Sequence, residues 1–441
     1  MEIKKLMIAV GLLIGLSACD GEEPNVDGEG NDDASANAEN TILIWDISTG
    51  NEKELVKQEV EDFNSKHDDV QAKVEFFQND PYKQKLQIAM GADESPDIFY
   101  NWGGGVLESY TSSDKVYELT EDLEEKSEWK DKYLDSVMGP VTFDDEIYGI
   151  PNTKVQPAAF NYNKEVFEEY DLEVPETWTE FIDVVEVLKE NDVIPIALAE
   201  KDVWPGLMYL EYFTDRIGGP EVFQNVVDGK KEAWSDPAII KANEMIQELV
   251  EMDAFQDGFQ SVEYEGGSAD ALVYSGKAAM QLDLSSGFNN ILSTSPDFIE
   301  NGNFGWFEFP EIEDGSGDPR NIVGNPSNYY SVSENSKNKE AAIEYLEDSV
   351  LNDDSVEGYI SEGLVPPVEG VDSSLEEQKY SDWLKFNYDI TDEAPNFQMS
   401  WDQELSPKHA TELLENLDKV FNLSITPKEF SEEMNKYIED K

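Results

Sequence analysis

Cysteine, histidine and arginine are scarce in this chain of 441 residues. The one cysteine, Cys19, excludes an intrachain disulfide and a zinc site built from several cysteines. Two histidines, His67 and His409, leave little material for a metal site, so we expect no bound metal. The sequence also lacks a P-loop, a Rossmann glycine fingerprint and a Gly-x-Ser-x-Gly motif, and we expect no cofactor.

Positive charge is also rare. Lysine and arginine number 31 against 97 aspartates and glutamates, which gives a formal net charge of −66. Nucleic acids and anionic lipid surfaces require cationic partners, so we expect the folded domains to bind neither. The acids are spread along the whole chain, which favours a surface adapted to high salt over a cation-binding role.

Aromatic residues, in contrast, are plentiful. The chain contains 21 Phe, 19 Tyr and 9 Trp, and its hydrophobic content is 39%. Such a composition excludes a mainly disordered protein. A length of 441 residues favours two domains, each large enough for its own core.

The first forty residues have a separate character. Two lysines precede an apolar run from Leu6 to Leu16, and the run is too short to span a bilayer as a helix. The following sequence Leu16-Ser17-Ala18-Cys19 resembles a bacterial lipobox, which implies a signal peptide at 1–18 and lipidation of Cys19. The alternative is an ordinary secretory signal with an incidental cysteine. Residues 19–40 are acidic and almost free of large apolar side chains, which predicts a disordered linker.

Strand and helix patterns alternate from residue 41. Residues 41–46, 70–77 and 96–100 have strand patterns, and helical periodicity separates them at 53–64 and 82–90. Alternation of this kind predicts an α/β fold with a parallel sheet. Ligands of such sheets bind beyond the carboxyl ends of the strands, so the loops after Trp45 and Tyr100 are candidate binding loops.

Six short motifs occur in an order that resembles the extracellular solute-binding proteins of family 1, which feed sugar-importing ABC transporters. The motifs are Ser95-Pro96-Asp97-Ile98, Tyr148-Gly149-Ile150-Pro151, Tyr162-Asn163-Lys164, Val174-Pro175-Glu176-Thr177-Trp178-Thr179-Glu180-Phe181, Ser275-Gly276-Lys277-Ala278-Ala279-Met280 and Asn338-Lys339-Glu340-Ala341-Ala342. One departure is that Gln281–Gly287 lacks the Gly-x-Trp that many relatives have after Ala-Ala-Met.

The resemblance implies a two-lobed, periplasmic-binding-protein-like α/β fold of class II, with a ligand cleft between the lobes. It implies a hinge of three crossings, which we place near residues 158–162, 304–307 and 350–351. The expected N-terminal lobe is 41–158 plus 308–350, and the expected C-terminal lobe is 159–307 plus 351–441. It also implies a monomer at the extracellular face of the cytoplasmic membrane that meets the transmembrane subunits of an ABC permease.

Candidate ligand-binding residues are those that a pyranose requires. An aromatic ring covers the apolar face of the sugar, while carboxylates, amides and hydroxyls bind its hydroxyl groups. We expect Trp102 to face the cleft, because the glycines after it suit close approach of a ligand. The full set predicted to bind ligand is Asp46, Ser48, Thr49, Asn101, Trp102, Gly103, Asp202, Trp204, Asp283, Ser285, Asn325, Trp401 and Asp402.

The pattern favours a binding protein over an enzyme. We expect a receptor for an oligosaccharide, of xylo-oligosaccharide or raffinose type, that delivers its ligand to the permease. A surface glycoside hydrolase with paired carboxylates is one alternative, and a receptor for a non-sugar solute is another. With 97 acids in the chain any pairing of carboxylates can be imagined, so acidity alone does not favour the hydrolase.

The net charge of −66 leads to a prediction about salt. Transfer from low to molar NaCl should raise the melting temperature, because screening relieves repulsion among the carboxylates. Thermal unfolding monitored by circular dichroism across a NaCl series measures the effect. A melting temperature that stays flat across the series would contradict the electrostatic interpretation.

Overall fold

A computed structural model describes residues 40–438. The expected signal peptide at 1–18, Cys19 and the expected linker up to residue 39 lie outside the described residues. The strands of the described part are β1 Thr41–Asp46, β2 Gln71–Phe76, β3 Ile98–Asn101, β4 Thr142–Phe143, β5 Glu146–Ile147, β6 Ile150–Pro151, β7 Gln156–Asn163, β8 Ile194–Ile196, β9 Ala278–Leu284, β10 Phe304–Phe307, β11 Ile322–Asn325, β12 Tyr329–Val332 and β13 Phe397–Met399.

Helices connect these strands and cover the sheets. They are α1 Gly50–Lys66, α2 Asn79–Ala92, α3 Gly104–Thr111, α4 Thr120–Glu125, α5 Ser127–Lys130, α6 Asp135–Met138, α7 Lys164–Glu169, α8 Trp178–Glu190, α9 Trp204–Gly218, α10 Glu221–Val227, α11 Pro237–Glu251, α12 Ser268–Tyr274, α13 Ser286–Thr294, α14 Pro296–Glu300, α15 Lys339–Asp348, α16 Asp353–Ser361, α17 Asp372–Glu376, α18 Ser381–Asp392, α19 Trp401–Glu404, α20 Pro407–Phe421 and α21 Pro427–Met434.

Local sequence rules explain where individual helices begin. Helix α8 starts with a capping box, in which the Thr177 hydroxyl accepts a hydrogen bond from the Glu180 N–H and the Glu180 carboxylate accepts one from the Thr177 N–H. Helix α21 starts in the same way at Thr426 and Glu429. Among the described helices, none has both the length and the apolar composition needed to cross a bilayer.

The first sheet has the strand order β2-β1-β3-β12-β6. Strands β1, β2 and β3 run parallel and are joined by α1 and α2, as the alternating pattern predicts. Strand β12 comes from much later in the chain, pairs antiparallel with β3 and β6, and lies between them. The carboxyl ends of β1 and β3 therefore share one edge of this sheet.

The second sheet has the order β13-β11-β7-β9-β8, with β10 also paired to β7. Strand β7 is the long central strand, and β9, β10 and β11 all pair antiparallel with it. Strands β8, β9, β11 and β13 run in one direction. Their carboxyl ends form the second edge that is available to a ligand.

Each sheet has its own hydrophobic core. The first core contains Ile44, Phe99 and Tyr330 of the first sheet, together with Tyr345 of α15. The second contains Phe160 and Met280 of the second sheet, together with side chains of α9, α11 and α20. The expected two-lobed α/β architecture is thus present, with one core in each lobe.

Three passages carry the chain between the two sheets. It leaves the first sheet at residues 152–155 between β6 and β7, and it returns at residues 326–328 between β11 and β12. The third passage lies between α17, which buries Leu375 in the first core, and β13 of the second sheet.

These passages correct the crossing positions expected from the sequence. Residues 158–162 and 304–307 lie within β7 and β10, which pair with each other inside the second sheet. Residues 350 and 351 are buried in the first core. Strand β11, in the segment 308–350 expected in the N-terminal lobe, also belongs to the second sheet. The strands of the two sheets have the same apolar pattern. The sequence alone therefore does not show which sheet a strand joins.

Candidate functional site

A cavity of about 490 Å³ lies where the strand ends of the two sheets face each other. Ser48 follows β1 and Trp102 follows β3 on the side of the first sheet. Ser286 follows β9 and Asp402 follows β13 on the side of the second sheet, and Asn325 ends β11. The volume is within the range of small-molecule sites, and the position is where α/β sheets bind ligands.

More than half of the residues predicted to bind ligand line this cavity. They are Ser48, Thr49, Trp102, Asp202, Trp204, Asn325 and Asp402. The structure therefore brings together residues that are up to 354 positions apart in the chain, from Ser48 to Asp402.

Asp46, Asn101 and Gly103 lie beneath the wall of the cavity and shape its loops. The buried Asp46 carboxylate accepts hydrogen bonds from the Ser48 N–H at 2.6 Å and from the Tyr330 hydroxyl at 2.5 Å. Burial raises the pKa of Asp46, and the two donors oppose that rise. The Asn101 amide oxygen accepts a hydrogen bond from the Gly103 N–H at 3.0 Å. These residues position Ser48 and Trp102.

Asp283 and Ser285 are also positioning residues and do not line the cavity. The Asp283 carboxylate accepts a hydrogen bond from the Tyr264 hydroxyl at 2.9 Å. The Ser285 hydroxyl donates to the backbone oxygen of Val155 in the first passage at 3.0 Å. Both side chains are buried, so they act on the cavity through their neighbours.

Trp401 is a core residue and not part of the cavity wall. Its side chain is fully buried and stacks on Phe223, with ring centroids 4.2 Å apart and planes 2° from parallel. Its backbone N–H donates to the buried Glu211 carboxylate at 2.6 Å. The prediction fails because the first residue of α19 points into the second core, whereas the next residue, Asp402, lines the cavity.

Trp102 has two roles. It lines the cavity, but only 7% of its surface is exposed, and it packs edge-on against Tyr100 at 5.3 Å and Tyr82 at 6.1 Å in the first core. The Nζ of Lys83 lies 5.0 Å from the centre of its ring, a cation–π distance. Trp102 therefore lies in the cavity wall as expected, but aromatic neighbours bury most of its ring.

Trp204 offers a more open ring. The half-buried indole contacts Tyr264 edge-on, with ring centroids 4.4 Å apart. Val203, immediately before it, has a φ of 63°, which is strained for a β-branched residue and marks this turn as specialised. The surrounding loop holds Val203 in this conformation, and α9 begins at the next residue, Trp204, in the cavity wall.

Tyr264 is a cavity residue that the sequence analysis misses. Its ring lines the cavity, its hydroxyl donates to Asp283, and its N–H donates to the Asp202 carboxylate at 2.8 Å. Three predicted residues, Asp202, Trp204 and Asp283, thus converge on one tyrosine. An aromatic residue between Glu263 and Glu265 and before two glycines is the signal that could have identified it.

Two polar side chains of the cavity wall, Ser48 and Asn325, are only 6% and 7% exposed. The Ser48 hydroxyl lies against the Asp46 carboxylate and helps to lower the pKa of that group, whereas the Asn325 amide oxygen has no hydrogen-bond partner within the described part of the chain. Buried polar groups are normally satisfied, so the Asn325 oxygen points to a ligand that donates a hydrogen bond.

The charges of the cavity are already largely neutralised. Lys154 and Glu52 form a buried ion pair at 2.6 Å, and Lys83 and Asp402 face each other at 3.4 Å. Lys201 pairs with Glu263 at the rim. Each lysine of the cavity wall therefore has a carboxylate partner, which disfavours an anionic ligand.

Two further carboxylates, those of Asp80 and Asp202, lie at one side of the cavity. Asp80 of α2 stands near Asp202 of the opposite lobe, and both line the cavity. Partial burial raises the pKa of Asp80 to about 6, and the Asp202 carboxylate contributes to the rise while Lys83 opposes it.

One cluster of possible metal ligands occurs in the described residues, and it lies outside the cavity. The Nδ1 of His67 is 3.8 Å from a Glu344 oxygen, and its Nε2 is 4.0 Å from an Asp348 oxygen. The imidazole also stacks on Phe63, with ring centroids 4.1 Å apart. Packing of His67 on Phe63 and its position beside α15 account for this arrangement.

The family model of the bacterial extracellular solute-binding proteins matches residues 49–347, which is more than half of the chain. The chain belongs to this family, as the ordered motifs predict.

A solved structure from a study of xylan utilization by the thermophilic bacterium Caldanaerobius polysaccharolyticus is similar over 90% of this chain and 100% of its own, at 29% identity and a TM-score of 0.81. An uncharacterized ABC transporter extracellular-binding protein of Pyrococcus horikoshii is 27% identical over 55% of this chain and 54% of its own. The melibiose/raffinose/stachyose-binding protein MelE of Bacillus subtilis is 24% identical over 46% and 44%. The chain thus spans about half the length of these curated relatives.

The two tryptophans Trp401 and Trp204 should respond differently to truncation. Trp401→Ala should lower the free energy of unfolding by about 3–5 kcal/mol, because it leaves a cavity in the second core. Trp204→Ala should lower it by less, about 1–2 kcal/mol, because the ring is only partly buried at the edge of the second core. Urea unfolding of both variants measures the contrast, and equal losses would contradict the assignment of Trp401 to the core.

Proposed function

We propose that the protein binds a neutral oligosaccharide in the cavity between its lobes and delivers it, from outside the cell, to the membrane subunits of an ABC importer. The proposed lobes are residues 40–153 plus 329–376 and residues 154–328 plus 377–438, following the two sheets. The protein acts as a monomer, held to the membrane only through a lipid on Cys19.

The unpartnered Asn325 amide oxygen, together with the Ser48 hydroxyl in the opposite wall, carries this proposal. They belong to opposite lobes, so one ligand that bonds both would hold the lobes together. Carbohydrate hydroxyls can donate both to the amide oxygen of Asn325 and to the hydroxyl oxygen of Ser48. Trp204 and Tyr264 supply the apolar ring surface that a pyranose face requires.

Charge pairing supports a neutral ligand. The lysines of the cavity wall already face carboxylates, and further acids, Asp80 and Asp202, line the same cavity. A uronic acid or a phosphorylated solute would add negative charge beside these groups. An uncharged saccharide meets no such repulsion.

The relatives support an oligosaccharide. The similar structure comes from a study of xylan utilization, and MelE is named for melibiose, raffinose and stachyose. Xylo-oligosaccharides and raffinose-type sugars are therefore the first ligands to test. Membership in the extracellular solute-binding family supports a location outside the cell and delivery to a permease.

One observation favours the alternative of a glycoside hydrolase. Partial burial raises the pKa of Asp80 to about 6, Asp202 lies near it, and hydrolysis of a glycoside uses one carboxyl of raised pKa with a second carboxyl nearby. Incubation with xylotriose and raffinose followed by chromatography of products decides between the two functions. Stoichiometric binding without products supports the receptor, and turnover supports the hydrolase.

Truncation of the Trp204 ring should weaken sugar binding. Trp204→Ala should raise the dissociation constant of the bound sugar by an amount equivalent to about 1–3 kcal/mol, because the ring no longer covers the sugar face. Titration calorimetry measures it, with the panel xylobiose, xylotriose, raffinose and stachyose.

Trp178→Ala provides a matched control, since Trp178 stacks on Phe181 and Phe309 in the second core away from the cavity wall. It should lower stability and leave the affinity of the folded fraction unchanged. Equal affinity of Trp204→Ala and the wild type would contradict the proposed site, and failure of the wild type to bind any saccharide would contradict the proposed function.

Cys19→Ala tests the proposed lipid anchor. The variant should leave the membrane fraction, because a thioether-linked diacylglycerol requires the cysteine sulfur and buried acyl chains provide about 0.8 kcal/mol per methylene. Fractionation of cells that express the variant or the wild type measures the distribution. Ala18→Gly is a control that keeps the cysteine and a small residue before it. Normal membrane retention of Cys19→Ala would contradict the anchor.

A further inference from the structure

A second cavity, of about 610 Å³, lies beside the first. Its walls also come from both lobes, with Gly104 and Glu108 of α3 and Phe143 on one side and Phe397 and Gln398 of β13 on the other. Strand β13 is the edge strand of the second sheet. The second cavity therefore lies beyond the last strand whose end faces the first cavity.

The two cavities meet at the same place on both lobes. At the start of α3, Trp102 of the preceding loop lines the first cavity and Gly104 lines the second. On α19, Gln403 lines the first cavity and Glu404 lines the second. The contact between the start of α3 and α19 is therefore the wall that separates the cavities. Leu107 anchors α3 in the first core, and Trp401 anchors α19 in the second core.

Glycine makes this wall possible. A Cβ on Gly104 would lie 2.6 Å from the backbone oxygen of Gln403, and a Cβ on Gly105 would lie 2.5 Å from that of Glu404. The contacted atoms are backbone, so no side-chain rotation would make room. The glycines thus permit close approach of the other lobe, and not of a ligand as the sequence analysis expects.

We propose that the contact of Gly104 and Gly105 with α19 sets the length of the ligand. The wall closes one end of the first cavity, so a bound oligosaccharide must end there. This inference rests on the proposed function, because it specifies which oligosaccharides that site accepts.

The second cavity has the chemistry to take further sugar units once the wall is open. The Gln398 side chain is 9% exposed, and its amide oxygen has no hydrogen-bond partner among residues 40–438. Phe143 and Phe397 are partly exposed in the same wall. No lysine or arginine of the described residues lines this cavity, so it resembles the first in disfavouring an anionic ligand.

Gly105→Ala is the sharpest test. The backbone of Gly105 has no left-handed φ, and alanine favours a helix, so α3 itself tolerates the change. The added methyl group forces α19 away and joins the two cavities. Gly91→Ala is the matched control, since Gly91 also lies in a helix, α2, and a Cβ there meets nothing within 4 Å.

The probes are two ladders, xylobiose to xylohexaose and melibiose to stachyose, each titrated calorimetrically. In the wild type and Gly91→Ala, affinity should stop rising once the ligand fills the first cavity. In Gly105→Ala, the shortest ligand that the wild type binds should lose about tenfold in affinity, because closure is opposed, while longer members regain affinity. Adding Gln398→Ala to Gly105→Ala should remove that regain.

Each outcome decides the inference. Wild-type affinity that keeps rising to the longest sugar shows that no wall limits the ligand, and this result needs no variant. The same loss for every length in Gly105→Ala, or no change at all, overturns the length-setting role and leaves the proposed function intact. Failure of the wild type to bind either ladder overturns the proposed function itself. A melting temperature of ligand-free Gly105→Ala close to that of Gly91→Ala confirms that both variants fold.

Discussion

The hydrogen bonds between the first two passages of the chain are the constraint on which the binding cavity depends. The Asn152 N–H donates to the Asn328 backbone oxygen at 2.9 Å, and the Asn328 amide donates to the Gln156 amide oxygen at 2.6 Å. These buried bonds hold the two passages side by side, so the strand ends of both sheets face one space. The buried Lys154–Glu52 pair then ties the same passage to the first turn of α1.

The contacts between the lobes are of several kinds. Each lobe has its own apolar core, and the lobes meet through ion pairs such as Lys83–Asp402, through the backbone contact of α3 with α19, and through a few apolar side chains such as Met399 of β13, which is buried in the first core. Polar contacts can exchange for water at small net cost, but an apolar core cannot. Most side chains of each core come from one lobe, an arrangement that suits the opening and closing of two-lobed proteins around a ligand.

Strand alternation and the cleft residues Asp202 and Trp204 could be predicted from the sequence, because they depend on local pattern and on strand ends. The crossings could not be, since β7 and β12 have the same buried pattern whichever sheet they join. Trp401 looked like a cleft residue because Asp402 follows it, and one residue of rotation on α19 decides which of the two faces the ligand. Tyr264 was missed because only the folded loop brings it onto Trp204 and Asp283.

The position of β12 also dictates an order of folding. This strand lies between β3 and β6 in the first sheet, yet it follows the whole stretch from β7 to β11 in the chain. The sheet of the first lobe therefore cannot be completed until the polypeptide is present to residue 332. Its completion closes a loop of well over a hundred residues. Pairings that distant form slowly. The second sheet lacks only its edge strand β13 at that point, so most strands of the second lobe are present before the first sheet receives its last strand.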